Sequence, residues 1–189
     1  MSTRLALGAT AALVGLAAAS AVGRRGSRGS RARVLGIGHP SLERMTYKGG
    51  LLRAHLGDDI IGTLQVTRAS GGGDELVDVL SPDCMVAVEG LWRLLGGERP
   101  VYFSSGLYVA PQHRRRGVAV RMYESMLDHL GSVNHGPVVL VPEGCHAWDG
   151  GTTDDGLRVW KSLSRRYENI PGSWPITSRK KGASGPWQA

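Results

Sequence analysis

The stretch Gly106-Leu107-Tyr108-Val109-Ala110-Pro111-Gln112-His113-Arg114-Arg115-Arg116-Gly117-Val118-Ala119 decides the fold. Apolar side chains at Val101, Phe103, Leu107 and Val109 read as a strand over 101–109. Pro111, with no backbone N–H to give, ends it. A short basic loop follows. From Gly117 the spacing of Val118, Met122, Met126 and Leu130 predicts a helix to about Leu130, with Arg121, Glu124 and Asp128 outside and Gly131 as its C-terminal cap. A strand that turns through a loop into a helix leaves several backbone N–H groups unpaired and converging at the positive end of the helix dipole. Gly117 has no β-carbon and Ala119 a minimal one, so the oxygens of a pyrophosphate can come close to the main chain. Arg114, Arg115 and Arg116 raise the local positive potential.

Working outward, Val138-Val139-Leu140-Val141 is a continuous apolar run of the kind that fills a buried strand. Upstream, Leu51–Leu56 and Ile60–Thr67 flank the turn-forming Gly57-Asp58-Asp59 and read as a hairpin. Residues 74–96 read either as helices broken at Pro82 or as a strand over Met85–Val88. Asp154 or Asp155 is placed to cap a further helix reaching Tyr167. No closing strand pair stands out in 168–178, and there is no internal repeat.

The loop Arg114-Arg115-Arg116-Gly117-Val118-Ala119, led by Leu107-Tyr108-Val109-Ala110-Pro111, resembles the acyl-CoA loop of the GNAT superfamily of N-acyltransferases, with this chain a divergent member. That loop reads Arg/Gln-x-x-Gly-x-Gly/Ala after a strand ending in Leu-x-Val-x-Pro. The resemblance implies an α/β (α+β) fold, a mixed and mainly antiparallel central sheet flanked by helices, with acyl-CoA in the splay between strands 101–109 and 138–141. It implies that Leu107, Tyr108 and Val109 pair with the pantetheine arm through their backbone, as an added strand would. The pyrophosphate falls to the amides of Arg114, Arg115, Arg116, Gly117, Val118 and Ala119. The likeness covers 101–131 closely, 57–67 and 137–167 more loosely, and the rest not at all. Only residues 34–50 precede the hairpin, where the family usually has two helices, while 69–100 is longer than the usual link.

The implied function is N-acetyl transfer from acetyl-CoA, or another acyl-CoA, to a primary amine by direct attack. Such attack needs the amine deprotonated, usually by a carboxylate or histidine. Glu143 and His146, which follow the Val138–Val141 strand, are the candidates. Many members also carry a tyrosine in the next helix as acid for the departing thiolate. Here Trp160 stands about there, and an indole cannot serve. The alternative is therefore a non-catalytic acyl-CoA-binding or structural protein on a decayed GNAT fold. Cys145-His146 lacks partners at ligand spacing, so no metal is expected.

A chain of 189 residues with 41% apolar and 21% charged content suits one soluble domain. Its formal charge of +7 is confined to the ends. Residues 1–33 hold Arg4, Arg24, Arg25, Arg28, Arg31 and Arg33 without an acid, and the tail adds Arg179, Lys180 and Lys181, while 34–178 carries 14 basic against 16 acidic residues. Nucleic acid is thus not the expected main partner. Leu5–Gly23 is a 19-residue run without charge, about 28 Å long as a helix and so near the thickness of a bilayer core. It reads as a membrane anchor, a signal or transit peptide, or a soluble arm. The arginines behind it favour an anchor with the domain on the cytoplasmic side. The organisation expected is an apolar segment at 1–23, a basic linker at 24–41, the GNAT-like domain at 42–178 and a basic tail at 179–189. Cys84 and Cys145 read as reduced core thiols of a cytosolic protein.

Overall fold

The computed structural model describes residues 44–69, 76–145 and 152–183. The apolar segment 5–23, the linker 24–41 and His146 lie outside the described residues. Among the described residues no helix is long and apolar enough to cross a membrane.

Among the described residues seven strands form one sheet: β1 (Arg44–Lys48), β2 (Leu51–Leu56), β3 (Asp59–Arg68), β4 (Val101–Val109), β5 (Val139–Val141), β6 (Tyr167–Asn169) and β7 (Ile176–Lys180). Their order is β1-β2-β3-β4-β5-β7-β6. Every neighbouring pair is antiparallel except β4 and β5, which run parallel with Val101, Tyr102 and Phe103 opposite Val139, Leu140 and Val141. The hairpin read around Gly57 is β2–β3. The strand before it, β1, was not legible in a segment of exposed and half-buried residues. The closing pair hidden in 168–178 is β6–β7. Arg179 and Lys180, read as the start of a tail, are the last residues of β7, and Arg179 pairs with Glu168 across it at 3.4 Å.

Among the described residues three long helices cover the sheet: α1 (Pro82–Leu94), α2 (Val118–Val133) and α3 (Asp154–Ser164). Period-two alternation in the central strands splits the core into two layers. Tyr102, Val138 and Leu140 face Met122, Met126, Leu130 and Trp160 of α2 and α3. Val101, Phe103, Val139 and Val141 face Val88, Leu91 and Trp92 of α1. The ambiguity over 74–96 is thus settled as a helix from Pro82, whose fixed φ and missing N–H suit the first turn.

Three helix ends differ from expectation, one being the C-terminus of α3, which stops at Ser164 and leaves Tyr167 to open β6. α2 passes through Gly131 to Val133, because Asn134 takes over the capping: its Nδ2 donates to the Leu130 carbonyl at 2.7 Å. α3 is capped by Thr153, whose hydroxyl accepts from the Gly156 amide at 3.3 Å. Asp154 and Asp155 instead occupy the first turn, where their charge favours the dipole.

The cysteines are not free thiols. Cys84 at the start of α1 and Cys145 in the turn after β5 are disulfide-bonded, with Cα atoms 5.7 Å apart. Alternation could not reveal this, since 61 residues separate them and only the packing of α1 across β5 brings them together. Disulfides persist mainly in oxidising compartments, which runs against a cytoplasmic placement of this domain. Closing a loop of that length contributes at most ~4 kcal/mol by chain entropy. The unreduced, denatured chain should therefore titrate no free thiol, and reduction should lower the melting temperature measurably.

Candidate active site

The loop between β4 and α2 is built by local bonds. Pro111–His113 makes a single 3₁₀ turn, closed by the His113 amide on the Ala110 carbonyl at 2.8 Å. The Arg114 Nε reaches back to the Val109 carbonyl at 2.9 Å, so this guanidinium braces the loop. Arg115 and Gly117 then take left-handed conformations, with φ of 58° and 75°. The result is a run of amides, Arg115 to Val120, that give no backbone hydrogen bond among the described residues, before Arg121 resumes the helix on the Gly117 carbonyl. Successive free N–H groups at a helix start form an anion cradle. Arg116 is exposed and stands off the cavity, whereas Arg114, Arg115, Gly117, Val118 and Ala119 border it.

That cavity, about 820 Å³, runs from the cradle along the free half of β4. β4 has a free half because β5 stops at Val141. Pro142 cannot donate to a ladder, and Glu143–Cys145 turns away in a 3₁₀ helix. On its other side β4 stays paired to β3 as far as Val109. A bulge opposite Gln65 and Val66 inserts Ser105. One extra residue exchanges the two faces of a strand, so Tyr102 and Val109 share a core layer although their numbers differ in parity. Leu107, Tyr108 and Val109 line the cavity beside this unpaired edge.

Ser104, Tyr123, Trp160 and Glu143 also line the cavity. Ser104 Oγ and Tyr123 Oη are 2.6 Å apart. The Tyr123 ring also packs on Trp160 with centroids 5.3 Å apart. Burial pushes the Tyr123 phenol up to about 12; its bond to Ser104 lowers it, and the charge of nearby Glu143 raises it again. Glu143 itself is exposed. A backbone bond from the Ser81 amide to the Cys145 carbonyl at 2.9 Å, and the disulfide, hold its turn against α1.

The site thus gathers Glu143 with the loop residues, while His146 lies outside the described residues. Sequence reasoning missed Ser104 and Tyr123. A tyrosine on the inner side of α2, next to Met122, was the available signal. Among the described residues no group of three or more His, Cys, Asp or Glu suits a metal ion.

The strand order, with a single parallel pair that parts beside a free-amide loop, is the arrangement the motif implied. The fold is of the GNAT type. No family model matches the sequence, and no curated protein does. Among solved structures this chain is similar to an aminoglycoside acetyltransferase from an uncultured soil metagenomic sample, at 20% identity over 67% of this chain and 64% of that one, TM-score 0.40. It is also similar to a ribosomal-protein-alanine N-acetyltransferase of Brucella melitensis biovar Abortus 2308, at 14% identity over 60% of this chain and 59% of that one, TM-score 0.36. A third is a mutant agmatine N-acetyltransferase, at 14% identity over 68% and 74%, TM-score 0.37. The chain spans about three fifths of the length of the first two.

Proposed function

We propose that this chain is an acyl-CoA-dependent N-acyltransferase, with acetyl-CoA as the default donor and a primary amine as acceptor. The observation that carries the reading is one continuous cavity. It begins at the unpaired amides of Arg115 to Val120, follows the free edge of β4 and reaches Glu143. The amides of Arg115 to Ala119, with the Arg115 side chain, hold the pyrophosphate, while the Arg114 amide is taken by the Pro111 carbonyl and Arg116 stands off the cavity. The backbone of Leu107, Tyr108 and Val109 pairs with the pantetheine arm as an added strand. The thioester then reaches the splay. There Glu143, directly or through a water, takes a proton from the acceptor's ammonium to free the amine for attack, with His146 as the second candidate base.

The amine attacks the thioester carbon, the C–N bond forms, and the C–S bond breaks with its electrons on sulfur. No covalent enzyme intermediate is needed. A second reading, an acyl-CoA-binding protein without turnover, is favoured by Trp160, which fills the place expected for a tyrosine acid. Consumption of acetyl-CoA by the full-length chain against a panel of primary amines separates the two. Turnover with any amine supports the enzyme. Calorimetric binding of CoA without turnover selects the second reading, and absence of binding ends both.

A further inference from the structure

Ser104 and Tyr123 carry two hydroxyl protons and share one hydrogen bond. Whichever oxygen donates in that bond, one O–H is left over, and neither hydroxyl has another hydrogen-bond partner among the described residues. Both side chains are almost closed to solvent, at 4% and 3% exposure, and both border the cavity. A buried O–H without a protein acceptor is satisfied by what enters beside it. Its place is informative too. Ser104 is the first residue of β4 beyond the pairing with β5, so the pair stands where the two strands begin to part.

We infer that the Ser104–Tyr123 pair is the hydrogen-bond donor to the thioester sulfur as it leaves. This rests on the acyl-CoA reading above. As the amine nitrogen bonds to the carbonyl carbon, the C–S bond breaks and its electron pair stays on sulfur. The spare O–H donates to that sulfur. Glu143 having taken the first proton, the surplus proton left on nitrogen after attack goes to water, and sulfur later takes a proton from water. The pair does not surrender its own proton. A thiol ionises near 8.5 in a model cysteine, whereas burial holds Tyr123 at about 12, so transfer from the phenol would run strongly uphill. A charge-assisted hydrogen bond to a thiolate has no such obstacle. Trp160, packed on the Tyr123 ring, holds the phenol from the side on which a tyrosine acid was expected.

The test titrates the thiol of CoA bound to the full-length chain, read by the ultraviolet absorbance of the thiolate, alongside steady-state kinetics. In wild type the bound thiol should be more acidic than in Ser104→Ala/Tyr123→Phe by roughly tenfold or more in its dissociation constant. The double variant should lose roughly 10²-fold in kcat with KM for acetyl-CoA unchanged. Each single variant should lie between, because the remaining hydroxyl can still turn into the cavity. If the double variant does not fold, Tyr123→Phe, which keeps the ring on Trp160, must show part of the thiol shift. Equal thiol acidity in wild type and variant overturns the inference, even where kcat has fallen. Failure of wild type to bind CoA overturns the acyl-CoA reading and this inference together.

Discussion

Replacing Gly117 by glutamate should abolish CoA binding in a chain that still folds. Gly117 sits at φ 75°, where an L-residue costs roughly 1–2 kcal/mol, but a β-carbon there would meet nothing within 4 Å. The change is therefore a modest backbone strain plus a carboxylate placed at the mouth of the amide cradle. At about 5 Å from a phosphate charge and an effective dielectric of about 20, the repulsion is about 3 kcal/mol, more than a hundredfold in Kd. Gly117→Ala separates the two terms. It carries the same strain without the charge, so it should lower stability while weakening CoA severalfold at most. Calorimetry on wild type and both variants is the check. Equal affinity for wild type and a folded Gly117→Glu chain would remove the pyrophosphate from this loop.

That prediction was available from sequence because the loop is a local object. Pro111, the arginines and Gly117 specify a strand end, a turn and a helix start within a dozen residues, and no distant contact is needed to read them. The β2–β3 hairpin was legible for the same reason. What failed to show was whatever depends on layers meeting. Val101, Phe103, Leu107 and Val109 look like one face of an alternating strand, yet Val101 and Phe103 pack on α1 while Val109 packs with α2, because Ser105 is bulged. A bulge leaves no mark in a strand that also reads as regular.

Tyr123 shows the same limit at the site. The helical period marks Val118, Met122, Met126 and Leu130 as the buried line, and Tyr123 falls one residue beside it. The buried stripe of α2 is wider than that line, since Tyr123 and Leu127 are buried as well. Only the approach of Ser104 from β4 and Trp160 from α3 turns this tyrosine from filling into a polar group at the cavity. The disulfide belongs with these cases. Cys84 and Cys145 become neighbours through packing of α1 on β5, and their bond fixes the turn that carries Glu143.

Glu143→Gln should lower kcat roughly 10²–10⁴-fold with CoA binding intact. A primary amine with a lysine-like pKa of about 10.4 is almost wholly protonated at neutral pH, so attack waits on the loss of that proton. Glu143 is the only described residue of the candidate base pair. Its exposed carboxylate stands at the cavity and close enough to Tyr123 to raise the phenol's pKa. Glutamine keeps its shape and removes its charge. The sign of the pH effect follows from the same proton. Turnover of wild type should rise with pH as the amine deprotonates. It should not fall again in the accessible alkaline range, since Tyr123 keeps its proton up to about 12. The deficit of Glu143→Gln should shrink as pH climbs toward the amine's own pKa, because solvent then does the work of the missing base. Initial rates from neutral to alkaline pH, for wild type, Glu143→Gln and His146→Ala, are the measurement. A constant deficit at every pH would mean that Glu143 orients the acceptor and does not deprotonate it. Wild-type turnover in both variants would leave neither residue as the base.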